Sequence, residues 1–273
     1  MTSNQGRIVF AGLMPHAPVL IPEVGQGRER ESEKTVEAMR NISNRVIDCQ
    51  PDALIVVSPH SPRRPGAFGI WSEQQIAGDL GRFGCSAVEI NLPNEIKLAT
   101  DIATKGSQRG IDTWRITNQS LDHGASVPLY FLTRAGWSGP TVLLSLNYPN
   151  DGGLIELGET VRAAVIESGR RVAFIASGDM SHALKPGAPA GFQPLAAEFD
   201  RTFVEIVKAG AYRDVCRIDP DLQELAAEDV VDSTLIAGAA VDWRNDGHEF
   251  LSYEGPFGVG YSVAVLFSEA NHE

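Results

Sequence analysis

The chain has 273 residues, of which 43% are hydrophobic and 21% are charged. It is long enough to bury a substantial core, and we expect one domain over residues 1–273. The 23 Lys and Arg residues against 35 Asp and Glu residues give a formal net charge of −12, which argues against partners such as nucleic acid or an anionic membrane.

Short apolar runs alternate with longer amphipathic stretches, as in an α/β protein with a central mixed, largely parallel sheet flanked by helices. The predicted strands are, in order, 8–14, 53–58, 87–92, 141–146 and 172–177. The predicted helices are 28–49, 94–106, 153–168, 194–209 and 220–243. The last two apolar runs, HEFLSY and GYSVAVLF, flank the turn EGPFGV and predict a closing hairpin.

The cysteines and the amino terminus indicate a compartment. The chain has three cysteines, Cys49, Cys85 and Cys216, and no CxxC motif. An odd number of widely spaced cysteines indicates neither a disulfide framework nor a thiolate zinc site. The early apolar run is interrupted by Pro15 and His16, so we predict no signal peptide and no membrane span. We therefore expect a cytoplasmic protein.

Histidines follow three of the predicted strands. His16 follows strand 8–14, His60 follows strand 53–58, and His182 follows strand 172–177 after a GDM turn. Ligand sites in open α/β sheets gather beyond the carboxyl ends of the strands. We therefore expect these three side chains to share one cleft. Prolines flank His16 and His60 and restrict their backbone, although prolines that only end strands would give the same pattern.

Two histidines lie close in sequence to an aspartate. His182 follows Asp179, and His123 follows Asp122 directly. A carboxylate that orients an imidazole or raises its basicity suits proton transfer. The alternative is that each aspartate caps a helix or a turn.

Two imidazoles and a carboxylate form the ligand set of non-haem Fe(II) sites, which keep open positions for substrate and O2. The predicted helix 220–243 carries Glu228, Asp229 and Asp232 on or beside its apolar side. Acids near a buried stripe are costly unless they are paired or coordinated. An exposed acidic shoulder is the other explanation. No GxGxxG, Walker, GxSxG or HExxH motif competes with a metal site.

Four segments together carry a family resemblance: MPHAPVLIPEVG, IVVSPHSP, LDHGASVPLYFL and IASGDMSHAL, in that order. They resemble the class III extradiol ring-cleavage dioxygenases related to the catalytic subunit of protocatechuate 4,5-dioxygenase, a superfamily that includes the Memo-like proteins. The resemblance covers nearly the whole chain. It implies a single catalytic domain that opens the ring of a catechol-type or aminophenol substrate with O2, using non-haem Fe(II).

The resemblance also implies roles for individual residues. His16 and His60 match metal ligands, His182 matches an acid/base residue, and His123 matches a catalytic residue that lines the substrate pocket. The third ligand in the dioxygenases is a glutamate near the carboxyl end, whereas Memo-like proteins have a cysteine in that region.

Aligning the stretch LIAGA with its counterpart gives Glu228 as the third ligand, with Asp229, Asp232 and Glu254 as alternatives. A carboxylate at this position favours the dioxygenases over a Memo-like role.

Two alternative functions stay open. One is a Memo-like metal-binding protein with a regulatory or redox role. The other is a zinc-dependent relative, since two histidines and a carboxylate also suit Zn²⁺. Arg63 lies near His60 and is predicted to bind a substrate carboxylate, unless it is solvated. The expected partners are a small aromatic diol and O2, with a homodimer or a small second subunit as the assembly.

Overall fold

The computed structural model describes residues 5–148 and 152–269. Its strands are β1 (Arg7–Met14), β2 (Ala53–Ser58), β3 (Phe68–Trp71), β4 (Gln75–Leu80), β5 (Cys85–Pro93), β6 (Thr113–Ile116), β7 (Thr141–Ser145), β8 (Arg171–Ser177), β9 (Glu249–Glu254) and β10 (Tyr261–Ser268). Its α-helices are α1 (Pro22–Gly25), α2 (Glu33–Asp48), α3 (Ile96–Gln108), α4 (His123–Arg134), α5 (Leu154–Ser168), α6 (Ala196–Lys208), α7 (Pro220–Ala226) and α8 (Val231–Ala240).

Eight of these strands form one sheet, in the order β6-β3-β7-β2-β8-β1-β10-β9. The four central strands, β7, β2, β8 and β1, are parallel to one another. Strand β3 is antiparallel to β7, and β10 is antiparallel to both β1 and β9. This confirms the predicted single α/β domain with a mixed, largely parallel sheet, and it confirms the closing hairpin.

Burial explains why the central strands were visible in the sequence. Every residue of β2 is buried, because helices cover both faces of the sheet and strands buried on both sides become continuous apolar runs. Helices α2 and α4 pack on one face, and α3, α5, α6 and α8 pack on the other. The predicted strand 87–92 lies within β5, which pairs only with β4 in a separate hairpin. It does not belong to the central sheet.

The predicted helix 220–243 is wrong as one helix. It is divided into α7 and α8, and Ala227 between them adopts a left-handed conformation with φ of 52°. The carboxylate of Glu228 accepts hydrogen bonds from the backbone N–H groups of Val230 and Val231, which caps the start of α8. The break places Asp229 outside a helix. No described helix combines the length and the apolar character needed to cross a membrane.

Candidate active site

Three neighbouring strands bring the predicted site residues together. Strand β8 lies between β2 and β1 in the sheet, and Met14 at the end of β1 is in register with Ser177 at the end of β8. The loops that follow these three strands therefore emerge at one edge of the sheet. They carry His60, His16 and His182, as the positions of the histidines in the sequence predicted.

A triangle of side-chain atoms lies at this edge. His16 Nε2 and His60 Nε2 are 3.0 Å apart, and Asp229 Oδ2 lies 3.4 Å from the first and 3.1 Å from the second. Ligand atoms about 2.1 Å from a metal lie about 3.0 Å apart at right angles and about 3.4 Å apart in a tetrahedral site. The three atoms therefore fit one face of a metal coordination sphere.

The ring of His16 is held in the orientation that a ligand needs. Its Nδ1 lies 2.9 Å from the hydroxyl of Ser177, and that hydroxyl donates its own hydrogen to the carbonyl of Gly124. Ser177 must then accept a hydrogen bond from His16 Nδ1–H. Neutral His16 consequently directs the lone pair of Nε2 at the triangle, which is the role of outer hydrogen bonds in metal sites.

Asp179 makes no hydrogen bond to His182 within the described part of the chain, although burial raises the pKa of Asp179 and His182 opposes that rise. Asp179 instead holds both His16 and Asp229. Its carboxylate accepts a hydrogen bond from the backbone N–H of His16. Its own backbone N–H donates to Asp229 Oδ1, and its carbonyl accepts from the backbone N–H of Asp229. A Cβ at Gly178 would lie 2.5 Å from Val230 Cα, so glycine permits this close approach.

Electrostatics couples the buried members of the triangle. Burial lowers the pKa of His16, but the charges of Asp179 and Asp229 outweigh burial and raise that pKa to about 9. Burial raises the pKa of Asp229, but His16 and His60 outweigh it and hold that pKa well below its ordinary value. Opposite charges thus stabilise one another in the triangle, and because an imidazole binds a metal only in its neutral form, metal binding here is expected to weaken as pH falls.

The other predicted carboxylates have different partners. Glu228 caps α8 and makes no ion pair with a histidine in the described part of the chain. Glu254 accepts hydrogen bonds from the backbone N–H and the hydroxyl of Thr35. Burial raises the pKa of Asp232 to about 6, and Arg63 opposes that rise. The geometry thus favours Asp229, one of the predicted alternatives, over Glu228.

His123 begins α4 and faces the triangle. Its ring stacks on His60 with the ring centroids 4.0 Å apart, and one of its nitrogens lies within 4.8 Å of ligand atoms of His16 and His60. Burial and the two other histidines lower the pKa of His123 to about 3, so the ring is neutral. Asp122 is the N-cap of α4 and also accepts hydrogen bonds from Ser58 and Ser61. Its role is therefore the predicted alternative, helix capping.

His182 lies in a loop that is fixed by its backbone. The backbone N–H of Met180 donates to the carbonyl of Gly260, and the backbone N–H of His182 donates to the carbonyl of Ala226. The buried carboxylate of Asp200 accepts from the backbone N–H of Ser181. The imidazole Nδ1 of His182 itself is buried and has no hydrogen-bond partner among the described residues. His182 lines the cavity described next. Its Nε2 also makes no hydrogen bond within the described part of the chain and, unlike Nδ1, is not enclosed by protein atoms, so Nε2 is the nitrogen available to a substrate.

A cavity of about 540 Å³ connects these groups, and His16, His60, His123 and His182 all line it. Arg63 does not line it, because its guanidinium donates to the carbonyl of Pro59. Through this contact Arg63 stabilises the loop that carries His60. Arg28 and Tyr261, which no sequence pattern indicated as site residues, also line the cavity.

A family model described as the catalytic LigB subunit of aromatic ring-opening dioxygenase matches residues 11–264. The chain belongs to the LigB family. That match covers all four segments of the resemblance and confirms it. The histidines of the triangle, His123 and His182 all lie inside the matched region.

The curated proteins similar to this LigB-family chain include two that match nearly all of it. Protein CA_C1420 of Clostridium acetobutylicum is 31% identical over 95% of the chain, and the chain spans only 57% of the length of that relative. The 2-aminophenol 1,6-dioxygenase beta subunit of a Pseudomonas species is 26% identical over 94% of the chain and 93% of that protein.

The fold also occurs among solved structures. The uncharacterized protein JW3007 of Escherichia coli K12 superposes with a TM-score of 0.62, covering 94% of this chain and 98% of that one. At 17% sequence identity, this likeness concerns the fold alone.

Proposed function

We propose that this LigB-family chain is an extradiol dioxygenase that uses non-haem Fe(II) and O2 to open the ring of a catechol-type or aminophenol substrate. The observation that carries the proposal is the triangle of His16, His60 and Asp229, with edges of 3.0 to 3.4 Å. Two of its members, His16 and His60, line the cavity. Two imidazoles and one carboxylate on one face leave the opposite positions open.

In this proposal His16, His60 and Asp229 hold the metal, and Asp229 replaces the expected Glu228. When bound, the metal supplies Lewis-acid activation of the diol and of O2. His182 accepts the proton of a substrate hydroxyl and later returns it, since it lines the cavity and its Nε2 makes no hydrogen bond among the described residues. Neutral His123 lines the cavity beside His60, on which its ring stacks, and contacts the substrate ring from there. The apolar cavity wall, including Pro18 and Val259, excludes water from the ring.

The test is anaerobic reconstitution with Fe(II), followed by oxygen uptake and near-ultraviolet absorbance with a panel of catechols and aminophenols. We expect stoichiometric loss of O2 and a yellow ring-opened product. Binding of iron without oxygen uptake on any diol would favour the Memo-like alternative. Failure to bind iron would refute the ligand assignment.

A zinc-dependent function is the second candidate, and a specific observation favours it. His16, His60 and His123 offer three nitrogens within 4.8 Å of one another, and three histidines are a common ligand set of catalytic zinc. Metal analysis of protein purified without added metal separates the candidates. Stoichiometric zinc that Fe(II) cannot replace would exclude the iron enzyme.

We also propose that the chain associates with a second copy or with a small subunit, because its Pseudomonas relative is named a beta subunit. Light scattering of the purified protein is the measurement. A monomeric mass for a fully active protein would contradict this assembly.

A further inference from the structure

The cavity contains an arginine at its rim. Arg28 begins a 3₁₀ helix that follows Gly27, whose φ is 99°, and it is an exposed residue that lines the cavity. Its guanidinium carbon lies 4.9 Å from the centroid of the Phe257 ring, and Phe257 lines the same cavity. Stacking on an aromatic face fixes the plane of a guanidinium and leaves the N–H groups at its edge free to donate.

No carboxylate neutralises this arginine within the described part of the chain. Several other arginines do form ion pairs, such as Arg134 with Glu23 and Arg170 with Glu95. The carboxylate of the neighbouring Glu29 accepts from the backbone N–H of Gly27. In a chain with a formal net charge of −12, an unpaired cation at a cavity points to an anionic ligand.

A second donor lies on the same cavity. Tyr261 on β10 is only 1% exposed and lines the cavity, and its hydroxyl makes no hydrogen bond among the described residues. Burial and the charge of Asp179 raise the pKa of Tyr261, while Arg28 lowers it. The hydroxyl therefore keeps its proton and can donate. A buried hydroxyl that faces a cavity normally finds a partner, and here that partner is a ligand.

We propose that Arg28 and Tyr261 form an anion-binding subsite that selects aromatic substrates carrying a carboxylate. The cavity has a ligand end at His16 and His60 and a cationic rim at Arg28, so such a substrate would orient its diol inward and its carboxylate outward. A planar guanidinium matches a carboxylate by paired hydrogen bonds and repels an ammonium group. This excludes catechol amines as preferred substrates. The inference names the substrate class of the proposed dioxygenase and rests on that function.

Binding without turnover is the first test. Calorimetry would compare para-hydroxybenzoate with its neutral isostere para-hydroxybenzamide, neither of which has the second hydroxyl that ring cleavage requires. We expect the metal-loaded protein to bind the carboxylate about tenfold or more tightly. Arg28→Gln should reduce that ratio to about one, and Tyr261→Phe should reduce it by about threefold or more. Equal affinity for both compounds, or no binding of either, would overturn the subsite.

Arg30 supplies the matched control. It lies on the same 3₁₀ helix and is exposed, but it does not line the cavity. Arg30→Gln removes one positive charge close to Arg28. If the ratio of affinities for para-hydroxybenzoate and para-hydroxybenzamide fell equally in Arg28→Gln and Arg30→Gln, only long-range electrostatic attraction would be responsible. We expect Arg30→Gln to keep the wild-type ratio.

Turnover is the second test, with dihydroxybenzoate and dihydroxybenzamide isomers that share the same diol. We expect kcat/KM to favour the carboxylate and Arg28→Gln to lower this preference about tenfold. If the diols are cleaved but the preference survives in Arg28→Gln, the subsite is wrong and the dioxygenase stands. If no diol consumes O2 but the binding ratio holds and is lost in Arg28→Gln, the subsite stands and the dioxygenase fails.

Discussion

The site is built from two regions that differ in how strongly local sequence determines them. The loops after β1, β2 and β8 continue from buried parallel strands, so the sheet itself fixes where His16, His60 and His182 emerge. The link between α7 and α8 has no strand to direct it. Asp229 reaches the site because Asp179 pairs with its backbone and side chain. The sheet determines the geometry of the three loops, whereas the position of the link between α7 and α8 depends on a tertiary contact.

The largest effect is expected when the link between α7 and α8 loses the carboxylate of Asp229. We expect Asp229→Ala to weaken Fe(II) binding more than about 100-fold, since loss of a ligand exceeds the effect of losing its outer hydrogen bonds. Glu228→Gln is the matched control, because a glutamine oxygen can still accept from Val230 and Val231. Competitive chelator titration measures both. Retained affinity in Asp229→Ala together with its loss in Glu228→Gln would restore Glu228 as the ligand.

The same contrast explains what the sequence could predict. Strands β1, β2 and β8 were visible as apolar runs, and the position of each histidine followed from its strand. The division of helix 220–243 was not visible as a Gly or Pro break. The one local signal was Glu228 just before the apolar run that begins at Val230, since an acid in that position can cap a new helix. Choosing Asp229 over Glu228 required knowing that Gly178 lets the two loops touch.

Arg63 and Arg28 illustrate the same limit among the cations. Arg63 follows His60 closely in sequence, yet the tight turn directs its guanidinium back to the carbonyl of Pro59. Arg28 is 32 residues from His60 by their numbers and lines the same cavity. Sequence proximity to a site residue says little about long side chains, whose direction is set by tertiary packing.

A second test separates proton transfer from metal binding. We expect His182→Ala to lower kcat by about 100-fold or more, the usual contribution of an acid/base residue, while iron content stays at the wild-type level. His248→Ala is the control, because the imidazole of His248 lies against the carbonyl of Lys208 and does not line the cavity. Steady-state oxygen uptake and metal analysis are the measurements. Parallel loss of iron and turnover in His182→Ala would make His182 a ligand or a structural residue.

A smaller effect is expected where the sheet itself orients a ligand. Ser177→Ala removes the acceptor of His16 Nδ1–H and leaves the carbonyl of Gly124 without its donor. We expect Fe(II) affinity to fall about 10- to 100-fold, as for other outer partners of metal ligands. Ser126→Ala is the matched control, since that buried hydroxyl has no partner among the described residues. Equal affinities in the two variants would mean that packing alone orients His16.

The smallest effect concerns the loop of His182 and its dependence on pH. Burial raises the pKa of Asp200 to about 6, although Tyr253, Ser181 and His182 oppose the rise. A raised carboxyl pKa means that the folded state binds the proton more tightly. The stability due to that proton is complete below the ordinary aspartate range and is lost as pH rises through about 6.

Asp200→Asn should remove this dependence, because an amide does not titrate. Between about pH 5 and pH 7, the wild type should lose about 1 kcal/mol of unfolding free energy relative to Asp200→Asn. Urea unfolding at several pH values measures the difference, and Tyr253→Phe serves as a control that removes the hydroxyl bonded to Asp200 but keeps the carboxyl group. A difference that stays constant with pH would mean that Asp200 is ionised throughout. The ionised carboxylate of Asp200 would then accept the hydrogen bond from Ser181 throughout this pH range, and the loop that carries His182 would be equally stable at each pH.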